Sequence, residues 1–196
     1  LSSGKKINSA SDDAAGFAIA ERMTAQVRGL NMATKNANDG LAMLATIENA
    51  TNDVTDMLQR VRELAVQAAN DTNSDTDREY LQLEVDSLLA EINRVSSQTV
   101  YNNQNVLDGS RSGTLQVGTD NGQTIAFNIE SIDTGALGLT NFEVNDADGN
   151  APGTTGYTST TSSLSVLDAG AAAEALDKIS IAIEQVAEDR AGYGAL

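Results

Sequence analysis

Leu58-Gln59-Arg60-Val61-Arg62-Glu63-Leu64-Ala65-Val66-Gln67-Ala68-Ala69-Asn70 decides the fold. Leu58, Val61, Ala65 and Ala68 step by three, four and three, which is one seam of an α-helix. Arg60, Leu64 and Gln67 fall on a different flank. A helix with one apolar stripe and a second, mixed stripe has the means to engage two partners.

Upstream, the same seam runs through Met23, Val27, Leu30, Thr34, Ala37, Leu41, Leu44, Ile47, Thr51 and Val54. No proline interrupts the chain from about Ala14 to Asn70. Fifty-odd residues at about 1.5 Å each predict a helix of roughly 80 Å. Gly16, Gly29 and Gly40 each cost about 1 kcal/mol against alanine, so packing must hold this helix, and a break or kink is expected near one of them. Ser9 and Asp12 have the spacing of a capping box ahead of it.

Asn70 to Ser74 reads as a turn, and Ser74 with Asp77 repeats the capping spacing. A second helix is expected from about Asp77 to Ser97, with Leu81, Val85, Leu88, Ile92 and Val95 as its seam. So short a connection makes the first two helices antiparallel neighbours. A third helix starts near Asp168, with Ala172, Leu176, Ile179, Ile183, Val186 and Arg190 in step. Between the helices the pattern changes. Val100 to Asn103 and Leu107 to Gly109 read as loop. Leu115 and Val117 alternate with polar residues, as do Ile125, Phe127 and Ile129, around the hairpin turn Asp120-Asn121-Gly122. Residues 131–163 are rich in Gly, Thr, Ser and Asp and predict a short irregular or β excursion.

The fold class is therefore mainly α with a small β part: an elongated, antiparallel, coiled-coil-like bundle of three helices, with a β-hairpin and a short excursion at one end. Residues 1–130 and 168–196 form the helical domain, with the hairpin at about 114–130, and 131–167 the excursion.

Composition narrows the function. The chain has 196 residues, a net charge of −16, three Phe, four Tyr, no Trp, no Cys and no His. Such a charge opposes binding to nucleic acid, which needs clustered Lys and Arg, and to anionic membranes. No apolar run is long enough for a membrane helix. Without His or Cys the commonest general base, thiol nucleophile and metal ligands are missing, and the carboxylates sit at helical spacing on solvated faces. The sequence therefore points to no enzyme, no cofactor and no metal centre. Asn145-Asp146-Ala147-Asp148-Gly149-Asn150 resembles the middle of a calcium loop, but Val144 and Thr155 stand where its end ligands are needed. An Asx-rich turn accounts for it better than weak calcium binding at Asp146 and Asp148. The first residue is Leu1, inside a patterned segment, which reads as a piece of a longer chain.

Several stretches together carry a family resemblance. They are residues 1–20 (Leu1-Ser-Ser-Gly-Lys-Lys-Ile-Asn-Ser-Ala-Ser-Asp-Asp-Ala-Ala-Gly-Phe-Ala-Ile-Ala), Gly29-Leu-Asn, Asn36-Ala-Asn-Asp-Gly and Gln59 to Asn70. Thr72-Asn-Ser, Glu91-Ile-Asn-Arg-Val, Leu115-Gln-Val-Gly, Ala175-Leu-Asp-Lys-Ile and Arg190-Ala-Gly-Tyr-Gly-Ala complete the set. In this order they resemble bacterial flagellin. The resemblance implies a self-assembling structural subunit of the extracellular flagellar filament, here without the terminal segments that form the family's inner coiled coil. It also implies export-chaperone and cap partners. It further implies that the helical face is both a subunit contact and the surface recognised by the vertebrate Toll-like receptor for flagellin. Carried over by motif, the residues of that face are Arg60, Leu64, Gln67 and Glu84. Helical spacing alone allows the simpler reading that this flank is a helix edge with Arg60 paired to a nearby acid. The alternative function is a cell-surface, flagellin-like protein with a ligand-binding or adhesive role.

Overall fold

The structure, a computed structural model, describes residues 14–140, 142–143, 161–162 and 164–196. Ser9, Asp12, Asp146 and Asp148 lie outside them. Helix α1 spans Ala14–Ala68, α2 Asp75–Gln98 and α3 Ala169–Gly194. Three antiparallel strand pairs accompany them: β1 (Val100–Tyr101) with β2 (Gln104–Asn105), β3 (Asp108–Gln116) with β4 (Thr124–Ser131), and β5 (Phe142–Glu143) with β6 (Thr161–Ser162). The chain divides into two compact units, residues 1–43 with 113–127, and residues 44–112 with 128–196.

In the second unit, the starts of α2 and α3 follow their caps. Ser74 accepts from the Asp77 amide at 3.2 Å while its own amide donates to the Asp77 carboxylate at 3.0 Å, a complete capping box. These bonds hold the Asp77 carboxyl below the usual range, the Ser74 hydroxyl contributing most. Asp168 caps α3 by accepting from the Ala171 amide at 2.8 Å. α2 therefore starts two residues before the expected Asp77, because Ser74 is the cap and Asp75 the first helical residue.

The core of this unit draws on all three helices: Ile47, Val54, Leu58, Val61, Ala65 and Ala68 of α1, Val85, Leu89, Ile92 and Val95 of α2, and Ala172, Ala175, Ile179, Ala182 and Val186 of α3. Arg60 meets Glu84 and Arg78 meets Ala68, so rising numbers in α1 face falling numbers in α2. Two apolar partners widen the buried arc of each helix beyond one seam. Leu89 and Ala182 are inside for this reason, while Leu81, Leu88, Leu176 and Ile183 are only half-buried.

The segment after α2 is more ordered than a loop. Asn102 and Asn103 stand at φ 50 and φ 60. Left-handed backbone at both corner residues closes the two-residue β1–β2 hairpin. Both ends of the expected excursion also carry core side chains: Ile132, Thr134, Leu137 and Leu139 on one side, Leu164 and Val166 on the other. Amide side chains of α2 fasten them. Asn93 Oδ1 accepts from the Thr134 amide at 2.9 Å, and Gln82 both donates to the Leu164 carbonyl at 2.9 Å and accepts from the Val166 amide at 2.7 Å.

In the first unit, the hairpin β3–β4 lies on a stripe of α1 made of small residues. Gly29, Ala33, Asn36 and Gly40 step by four, three and four. A Cβ on Gly40 would stand 2.5 Å from Leu115 Cδ1, and one on Gly29 2.8 Å from Thr119 Cγ2. Asn36 Nδ2 donates to the Gln116 carbonyl at 2.9 Å. No break occurs there, since α1 is helical without interruption through Gly29 and Gly40. These glycines admit the hairpin instead. The neighbouring large-residue stripe is not covered in this chain: Met23 is 59 % exposed and Leu41 63 %, with Ile19, Val27 and Leu30 similar. The expectation of one seam packed along its whole length is corrected accordingly. α2 and α3, with 24 and 26 residues, are each less than half as long as α1 with 55.

Back in the second unit, one carboxylate is poorly placed. Asp189 Oδ2 is buried with no hydrogen-bond partner among the described residues. Burial raises the Asp189 carboxyl above its ordinary value, and the nearby Glu130 and Glu188 add to it. One turn on, Tyr193 accepts from the Glu130 amide at 3.2 Å, and burial pushes its hydroxyl up to about 12. A carboxyl whose folded value is raised is a penalty that is full above that value and vanishes below the ordinary carboxylate range. Asp189→Asn therefore raises the urea midpoint at neutral pH, and its advantage shrinks as the pH falls through that window. An advantage that is unchanged or grows on acidification would contradict the assignment.

Candidate functional site

The flank of α1 that carries Arg60 faces α2 in the second unit. Arg60 Nε donates to Glu84 Oε1 at 2.8 Å, and Nη1 to Glu63 Oε2 at 2.9 Å. Both carboxylates hold the guanidinium above its ordinary value, the Glu84 hydrogen bond most of all. About half of each side chain in the Arg60–Glu84 pair is open to solvent. Such a pair adds little to stability. What it does is fix the direction of a flat five-donor group at the surface. The simpler reading of the flank, Arg60 paired to a nearby acid, thus describes the isolated chain.

Gln67 lies two turns beyond Arg60 on the same side and is exposed. Its carbonyl accepts from Asn73 Nδ2 at 2.6 Å and from the Asn70 amide at 3.2 Å, which fixes the bend after α1 to the end of this face. Leu64 does not belong to the exposed flank. It is 1 % exposed and sits in the core. The physical reason is the widened buried arc: Leu64 is one turn from Val61 and Ala68, on the side that an added helix closes. Arg60 and Glu84 are thus brought together, Gln67 extends the same surface, and Leu64 supports it from beneath.

Sequence reading missed Glu63, the second partner of Arg60, although its i, i+3 spacing is a known signal. It also missed an open groove lined by Gln59, Arg62, Glu63 and Val66 of α1 with Ser180, Ile183 and Glu184 of α3. No local pattern announces a groove formed by two helices more than a hundred residues apart in the chain. Among the described residues no group of acidic side chains is arranged to hold a metal ion. No described helix is long and apolar enough to cross a membrane.

Comparison with known proteins places this geometry in context. Residues 1–112 match the family model of the bacterial flagellin N-terminal helical region. Over 145 residues the chain is 50 % identical to the phase 1 flagellin of Salmonella naestved and equally to the flagellin of Salmonella dublin. That stretch is 74 % of this chain but 29 % of those proteins, so the chain spans less than a third of their length. Among solved structures, the fold is similar to FliC from Burkholderia pseudomallei, with a TM-score of 0.64 at 22 % identity over 80 % of this chain and 98 % of that one. It is also similar to Bacillus cereus flagellin, with a TM-score of 0.62 at 25 % identity over 82 % and 81 %.

Proposed function

The chain belongs to the bacterial flagellin family, and from that premise we propose that it is the helical assembly region of a flagellar filament subunit, a structural protein that polymerises outside the cell. The observation that carries this reading is the apolar stripe Ile19, Met23, Val27, Leu30 and Leu41, which α1 leaves open to water. An exposed apolar patch of this extent marks an association surface. The full-length chain, carrying both terminal segments, should form filaments visible by electron microscopy. Val27→Asp with Leu30→Asp should abolish them while the helical content of the subunit stays unchanged. A full-length chain that remains monomeric under filament-forming conditions would overturn the reading.

On this reading the chain also meets export-chaperone and cap proteins before it is built in, and the face of Arg60, Glu84 and Gln67 is the one that the vertebrate Toll-like receptor engages. The support for the receptor site is that Arg60 is held by two carboxylates at the surface, an anchor residue type already ordered before binding. Arg60→Ala and Glu84→Ala should each weaken binding to the receptor ectodomain by about tenfold or more in a titration at fixed salt. Binding that is untouched by both changes would remove the receptor from this face.

A further inference from the structure

We propose that Asn121, at the tip of the β3–β4 hairpin, is a site of spontaneous deamidation in the folded protein. Asn121-Gly122 is the only Asn-Gly pair in the sequence. The Gln123 amide donates to the Asp120 carbonyl at 3.3 Å, so Asn121 and Gly122 are the two corner residues of the turn. Both are exposed. Gly122 stands at φ 87, with open space where a Cβ would be. The structure gives neither the Gly122 amide nor the Asn121 carboxamide a hydrogen-bond partner among the described residues. The attacking nitrogen is thus unblocked, and the residue that carries it turns easily.

The step needs only water. The Gly122 nitrogen loses its proton to solvent base and bonds to Asn121 Cγ. The Cγ–Nδ2 bond breaks and ammonia leaves with a proton from solvent, which forms a five-membered imide. Water then opens the ring. Attack at Cγ gives aspartate, and attack at the main-chain carbonyl gives isoaspartate, with the chain rerouted through the side chain.

No other asparagine in the sequence is followed by glycine, and several described ones are further held back. The Asn73 side chain donates to the Gln67 and Asn70 carbonyls, and the following Ser74 amide is bound to Asp77 Oδ2 at 3.0 Å. Asn31, Asn36, Asn49, Asn52 and Asn93 precede amides held in helices. The consequence is local. The turn is knitted by Gln116 Nε2 to the Gly118 and Asp120 carbonyls at 2.9 and 2.8 Å, by the Asp120 amide to Gln123 Oε1 at 3.1 Å, and by the Val117 amide to the Gln123 carbonyl at 2.9 Å. Isoaspartate lengthens the main chain inside this set, and either product adds a negative charge beside Asp120.

The test is to hold the folded protein in mildly alkaline buffer and follow each asparagine by peptide mapping and an isoaspartyl methyltransferase assay. The expected result is conversion of the Asn121 peptide ahead of every other, at a rate within a few-fold of that in the urea-unfolded chain. Asn121→Gln should abolish the signal, with circular dichroism confirming that this variant is folded. Full conversion in urea with none in the folded protein, or faster conversion at Asn73 or Asn102, would overturn the proposal.

Discussion

Leu64→Ala should lower the unfolding free energy by about 2–5 kcal/mol, the range for removing a fully buried leucine and leaving part of its volume empty. The side chain is 1 % exposed, among Val61, Ala65 and Ala68. The measurement is urea denaturation followed by circular dichroism, read as a fall in midpoint at unchanged slope. Leu64→Met keeps the volume and should recover most of the loss. Arg60→Ala, by contrast, should leave the midpoint nearly unmoved, because its partners Glu63 and Glu84 are open to water. The contrast bears on the candidate face. A binding defect in Leu64→Ala would report a disturbed scaffold, whereas the same defect in Arg60→Ala would report a lost contact. A Leu64→Ala protein as stable as the parent would mean that this leucine is not core.

Arg78→Ala should cost about 2–4 kcal/mol, since it removes a buried charged donor and leaves the Ala68 carbonyl without a partner, while the Asn70 carbonyl keeps the Asn73 amide and Nδ2. Helix α1 ends at Ala68 with no glycine to close it and no basic residue in its last turn. The last carbonyls of a helix need donors from elsewhere. Arg78 of α2 supplies them: its side chain is 10 % exposed, and it donates through Nε to the Ala68 carbonyl at 2.9 Å and through Nη2 to the Asn70 carbonyl at 3.2 Å. Asp71 and Asp75 stand at 3.9 Å and balance its charge. Arg78→Lys keeps the charge but offers one bonding centre in place of a fork, so it should restore only part of the loss. Amide exchange would locate the effect, with protection falling first between Ala65 and Asp75. Loss spread evenly over the three helices would argue against the capping role.

Much of the architecture is legible in local chemistry. Ser74 with Asp77, and Asp168, mark helix starts because a cap needs an acceptor at one fixed place. Val61, Ala65, Ile92 and Ile179 repeat at helical spacing because burial needs one face. What was not legible is non-local. That Gly29 and Gly40 receive a hairpin cannot be read from α1, where a glycine looks like a break. That Leu64 is inside depends on a second helix closing over its flank. Ile132, Leu139 and Leu164 have no period to betray them, and amide side chains of α2 settle their place. Arg78 reads as one more surface charge until the open end of α1 is set beside it. Of the candidate face, the residue types Arg60, Gln67 and Glu84 were legible by motif, and their mutual geometry was not.

The small-residue stripe on α1 also makes that helix tolerate change unequally. On the side of Gly29 and Gly40, a side chain is met by Thr119 or Leu115 at sub-contact distance, and Ala33 between them is buried. On the side of Met23, Val27 and Leu41, enlargement meets only solvent in the single chain. A library that scans this helix in the free subunit should therefore divide into two halves by side-chain volume alone, with size penalised on one side and ignored on the other. Selecting the same library for assembly should erase the division, and the positions at which it disappears would map the surface covered in the polymer.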